Sequence, residues 1–92
     1  MAIVSIPSLM RDLTNEKSQV EITGTTIREL LDNMESEFPG VKERLCHQDD
    51  GIERISPYIG VYVDGVLIER GMRSPIGPNS EVHFLPAMGG GC

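Results

Sequence analysis

Residues Gly24–Gly40 read GTTIRELLDNMESEFPG, and the fold turns on this stretch. Ile27, Leu30, Leu31, Met34 and Phe38 recur at spacings of three and four, which draws one apolar stripe along a helix. Thr25 or Thr26 supplies the cap, because a hydroxyl there accepts from backbone N–H groups that the first turn leaves without partners. Thr26 followed three residues later by Glu29 fits the reciprocal capping pattern. Pro39-Gly40 ends the helix. A helix with a single apolar stripe needs a surface to cover, and the flanking sequence offers strands.

Upstream, Ala2 to Ile6 predicts a first strand stopped by Pro7, with Val4 and Ile6 on one face and Ile3 and Ser5 on the other. Ser8 to Lys17 is polar and turn-like. Ser18 to Thr23 predicts a second strand with Val20 and Ile22 inward, close enough in sequence to form an antiparallel hairpin with the first. Downstream, Val41 to Leu45 adds a short helical turn with Val41 and Leu45 on one side, and His47 to Glu53 (HQDDGIE) reads as a loop. Ile59 to Val63 predicts a third strand, Asp64-Gly65 a tight turn, and Val66 to Ile68 a short return strand. Gly71, Pro75, Gly77 and Pro78 mark irregular chain. Glu81 to Leu85 predicts the last strand, with Val82 and Phe84 inward and Pro86 as its stop. A hairpin, a long helix, then further strands is the order of a β-grasp, ubiquitin-like domain: an α+β fold with a mixed sheet and one main helix. The expected boundaries are residues 1–86 for the domain and 87–92 for a flexible glycine-rich tail, where three successive glycines cannot hold a regular element without cost.

The 92-residue length suits one domain, and with no Trp, two Phe and two Tyr the core must be largely aliphatic. A formal net charge of −6 argues against nucleic acid or an anionic membrane as partner, since neither is attracted to an acidic surface. There is no run of about 18 apolar residues to span a bilayer, and the N-terminus lacks a secretory pattern. Two cysteines, Cys46 and Cys92, do not make a disulfide scaffold, so a cytoplasmic setting is expected. Cys46 follows an apolar helical stretch and reads as a half-buried packing residue.

No catalytic constellation emerges. Cys46-His47 has no second pair at zinc spacing, and His83 alternates within a strand toward solvent, so no metal is expected. Asp49-Asp50 reads as a solvated acidic turn. No nucleophile elbow, phosphate-binding loop or dinucleotide fingerprint appears. The glycines at 89–91 follow a strand and open no helix, so they cannot cradle phosphate. The expectation is a protein that catalyses nothing and binds no cofactor.

On composition alone, Gly89, Gly90 and Gly91 are equally an unstructured end and a functional arm. An arm of glycines is thin enough to thread a narrow channel and present an acyl group where a side chain would collide. A carboxylate is a poor electrophile. Adenylation by a partner makes a mixed anhydride, from which a persulfide or thiol displaces AMP to leave a thiocarboxylate or thioester.

Residues 81–91 (EVHFLPAMGGG) resemble the ending of the ThiS-like and MoaD-like sulfur carriers, in which a strand leads through Leu-Pro and small residues to Gly-Gly. VSIPSLMRDLT (4–14), FPGVKERL (38–45) and YIGVYVDGVLI (58–68) match as well, so the resemblance spans the chain and is strongest to CysO-type carriers. It implies a β-grasp fold and a thiocarboxylate on Gly91. The partners it implies are a ubiquitin-activating-type adenylyltransferase that uses ATP and a sulfur-accepting, cysteine-synthase-like enzyme. The family's active form ends at Gly-Gly, whereas here Cys92 follows. The resemblance therefore implies that Gly91-Cys92 is a scissile bond for a JAMM-type metalloprotease. An incidental last residue, and attack of the Cys92 thiol on the Gly91 carbonyl, remain open. Pro7, Tyr62 and Leu85 are expected toward the outer face or rim, where they would dock partners. Three other readings use the same fold: a protein modifier conjugated through Gly91, the small subunit of a molybdopterin-synthase-like complex, and a plain binding module.

Overall fold

A computed structural model describes residues 1–7, 10–56, 59–68 and 70–86, apart from the side chains of Asp49 and Pro86. The expected tail, residues 87–92, lies outside the described residues.

The helix forms as its stripe requires. Helix α1 spans Ile27–Glu37 and buries Ile27, Leu30, Leu31 and Met34. Thr26 is the cap: its hydroxyl accepts from the Glu29 amide at 3.2 Å. The Glu29 carboxylate reaches back to accept from the Thr25 amide at 2.8 Å, one residue before the cap itself. Helix α2, Val41–Leu45, follows immediately and buries both Val41 and Leu45. Glu35 of α1 satisfies its start, accepting from the Gly40 and Lys42 amides at 3.0 and 2.9 Å.

Five strands make the main sheet: β1 (Ala2–Ser5), β2 (Gln19–Ile22), β5 (Ile59–Val63), β6 (Val66–Leu67) and β7 (Glu81–Pro86). Their order across the sheet is β2-β1-β7-β5-β6. The N-terminal hairpin is antiparallel, with Val4 opposite Val20. Strand β7 lies at the centre, parallel to β1 (Val4 opposite Val82) and antiparallel to β5 (Val61 opposite Phe84). Val4, Ile6, Val61, Val82 and Phe84 are buried in one cluster with the α1 stripe, as alternation predicted. The result is the β-grasp arrangement, a mixed sheet holding one main helix.

Two segments depart from the sequence-based expectation. His47 to Glu53, expected as a loop, is most of a second, two-stranded sheet: β3 (Cys46–Asp49) pairs antiparallel with β4 (Ile52–Ile55). Asp50 and Gly51 both take left-handed φ angles, 53° and 80°, which is the geometry a two-residue hairpin needs. This hairpin lacks a strong apolar alternation because much of it faces solvent, with Ile52 half exposed, and periodicity therefore could not reveal it. The turn-like stretch before β2 carries Met10 and Thr14, both wholly buried, so it plugs the core despite its polarity. The Thr14 hydroxyl is satisfied by donating to the Lys17 carbonyl at 3.0 Å.

Candidate functional site

The part of the fold that matters for the expected tail is the end of β7. As the central strand it cannot shift without disrupting both neighbours. Its start is fixed by the turn between β5 and β6, where Asp64 and Gly65 take φ angles of 53° and 84°. The Asp64 amide donates to the Glu81 carbonyl at 2.8 Å, and the Asp64 carboxylate accepts from the Glu81 amide at 2.9 Å. From that anchored start the strand runs to Pro86, which lies opposite Ile59.

The outer face of the sheet at this end carries apolar side chains beside His83. Leu85 lies opposite Gly60, and Tyr62 lies opposite His83 on one side and Leu67 on the other. A Cβ at Gly60 would stand 3.3 Å from the Tyr62 ring edge and 3.9 Å from Leu67 Cδ1, so the missing side chain lets the ring lie close along the strand toward Leu85. Leu85 and Leu67 are about half exposed, at 49% and 51%. Exposed leucines beside a ring, near the last described residue of β7, make a small exposed apolar patch.

The expected docking residues fall as follows. Tyr62 and Leu85 share this outer face on adjacent strands. Pro7 is half-buried past the end of β1. Strand β1 runs parallel to β7, and Pro7 and Leu85 each lie two residues beyond the Ser5–His83 pair. Alternation within β5 pointed to Tyr62 but not to Leu67 or Gly60. The Asp64-Gly65 turn held the missing signal, because a two-residue turn puts Tyr62 opposite Leu67.

His83 is partly exposed, with its Nε2 3.5 Å from a Glu81 carboxylate oxygen. Cys46 is half-buried and free; burial, followed by the charge of Glu53, pushes its thiol up to about 11. That is packing behaviour rather than nucleophile behaviour. Among the described residues no three His, Cys, Asp or Glu side chains are grouped to hold a metal ion. Among the described residues no helix is long and apolar enough to cross a membrane. Gly89, Gly90, Gly91 and Cys92 lie outside the described residues, so the carrier and cleavage expectations placed on them have no geometry here.

A profile of the ThiS family matches residues 4–91. The sulfur carrier protein CysO of Mycobacterium tuberculosis is 28% identical over 90 residues, which cover 96% of each chain. In a crystal structure of the BexX/CysO complex from Amycolatopsis orientalis, one chain is 29% identical and superposes with a TM-score of 0.86, covering 95% of this chain and 96% of that one. The crystal structure of Mycobacterium tuberculosis CysO gives the same TM-score at 26% identity, over 95% of this chain and 99% of that one.

Proposed function

This chain belongs to the ThiS family, and on that premise we propose that it is a sulfur carrier, a protein cosubstrate whose reacting atom is the Gly91 carbonyl carbon. The observation that carries the reading is the reach of the family match, which runs through all three glycines and ends at Gly91. Likeness to proteins called sulfur carrier over 96% of the chain supports it further.

The chemistry has three steps. Water first cleaves the Gly91-Cys92 peptide bond in a metalloprotease partner, freeing the Gly91 carboxylate and the Cys92 amine. That carboxylate then attacks the α-phosphate of ATP in an adenylyltransferase partner, forming the acyl adenylate and releasing pyrophosphate. Last, hydrosulfide adds to the acyl carbon and AMP leaves, giving the thiocarboxylate and one proton. The thiocarboxylate sulfur is the nucleophile that a biosynthetic acceptor, cysteine-synthase-like in type, would use. The fold contributes placement: β7 at the sheet centre fixes the departure point of the arm, while Leu85, Tyr62 and Pro7 give the partner enzymes an apolar surface beside it.

Intact mass spectrometry tests this. A chain ending at Gly91, incubated with a ubiquitin-activating-type adenylyltransferase, ATP and sulfide, should exchange one oxygen for one sulfur. The chain that retains Cys92 should not change until the protease is added. No exchange in the shortened chain would overturn the proposal. Adducts to target lysines that survive thiol reductant would instead favour a protein modifier.

A further inference from the structure

On a chain with fourteen acidic side chains and eight basic ones, four arginines line one groove. The groove has a volume of about 490 Å³ and lies between the β3–β4 hairpin, the start of α1 and the 3-10 turn at Gly71–Arg73. Arg28, Arg54, Arg70 and Arg73 supply the charge, all of them exposed. Ile52, half exposed, and Ile55 give it an apolar wall, with Met72 beneath. Only one carboxylate, Glu53, lines it among the described residues, and that group already accepts from Lys42 at 2.9 Å and lies 3.8 Å from Arg28. The guanidinium groups of Arg70 and Arg73 pair with no carboxylate among the described residues.

The groove is held in shape rather than draped. The Arg73 amide donates to the Arg70 carbonyl at 3.1 Å and the Arg70 amide to the Ser74 hydroxyl at 3.2 Å. The Ser74 carbonyl in turn accepts from the Ile27 amide at 3.0 Å, which ties the turn to the first residue of α1. Four like charges on a fixed frame repel one another, and two of them without a carboxylate partner among the described residues favour an external one.

We propose that this groove is a docking site for an acidic, aliphatic segment of a partner protein. Carboxylates match the arginine forks in bidentate geometry. The isoleucines select apolar side chains interleaved with those carboxylates, which a bare phosphate or a nucleic-acid backbone does not present. The acidic remainder of the surface repels polyanions as a class, so a mixed segment short enough to stay within the groove is favoured over a duplex. The groove is lined by none of Gly60, Tyr62, Leu67 and Leu85 and does not depend on the tail chemistry, so it stands or falls separately from the carrier reading.

The test is an amide-resolved NMR titration of the full chain with a synthetic peptide alternating glutamate and leucine. The expected result is shifts confined to Arg28, residues 52–55 and residues 70–73, with affinity falling as salt rises. The double variant Arg70→Glu, Arg73→Glu should weaken binding by about tenfold or more, with thermal unfolding unchanged. Should that variant fold poorly, Arg73→Gln alone should weaken binding to a smaller degree. Absence of shifts, shifts centred on Tyr62 and Leu85, or equal binding by a glutamate-serine peptide or inorganic phosphate would overturn the proposal. So would tighter binding of a short DNA duplex, or a concentration-dependent self-association that the arginine variants abolish, which would make a second copy the occupant.

Discussion

The Asp64 carboxylate accepts a hydrogen bond from the Ser80 hydroxyl at 3.0 Å, across 16 positions of sequence. The same hydroxyl accepts from the Gly77 amide at 2.8 Å, so a single oxygen links the β5–β6 turn to the approach of β7. Because strand pairing has a period of two, a start fixed in this way dictates every later pair, including Pro86 opposite Ile59. The place of Pro86, the last described residue, is therefore set from the opposite end of the strand.

Removing that anchor should be measurable. Asp64→Ala loses both carboxylate acceptors and places a Cβ residue without a polar side chain at a left-handed φ, and should cost about 2 kcal/mol in urea denaturation. Asp64→Asn keeps the tolerance for that φ and one acceptor and should cost less. Equal stability of all three proteins would remove the anchor from the argument.

Leu85→Asp should separate docking from folding. Leu85 is half exposed, so unfolding midpoints should shift little, within about 0.5 kcal/mol. Adenylation of the chain ending at Gly91 should show a raised KM with kcat largely kept, because the substitution charges the contact surface and leaves the acyl group alone. An unchanged KM would mean that partners grip elsewhere.

Arg44 forks onto Asp12 through two bonds, 2.8 and 2.9 Å, joining α2 to the segment before β2. The guanidinium holds the Asp12 carboxyl below its ordinary 3.8. Glu35 is likewise lowered from 4.5 by the Lys42 and Gly40 amides. A carboxyl depressed on folding stabilises above its unfolded pKa and loses that contribution as pH falls through the folded one. Stability should therefore decline on the acid side of these values. Arg44→Ala should return the Asp12 titration, followed by NMR, toward 3.8; a titration that does not move would show the fork to be without effect in solution.

In the chain ending at Gly91, Cys46 is the sole thiol. With its pKa raised from 9.0 to about 11 by burial, alkylation near pH 8 should be much slower in the folded protein than in urea. The sign for stability is the reverse of the carboxyl case. The raised thiol contributes below 9.0 and loses that contribution as pH climbs toward 11, and Lys42, raised above 10.5 by Asp32 and Glu53, acts in the same direction. Equal alkylation rates in the folded and unfolded chain would contradict the burial.

Local pattern determined most of the framework: the α1 stripe with its Thr26 cap, the β1–β2 hairpin, the Asp64-Gly65 turn and the inward set Val4, Ile6, Val61, Val82 and Phe84. Except for the pairing of β1 with β2 across residues 6–18, each depends on neighbours within a few positions, which is the range over which periodicity and turn chemistry act. Resemblance added the chemistry of Gly91, because three glycines carry no side chain from which to read it. Tertiary structure alone decided that β7 lies parallel to β1 at the sheet centre, and that Met10 and Thr14 fill the core from a polar segment. It alone brought Gly60 and Tyr62 beside Leu85 and His83 of β7, and gathered arginines 28, 54, 70 and 73 around one groove. Those are contacts between residues far apart in sequence, and no local rule specifies which distant partners the burial of a shared core will bring together.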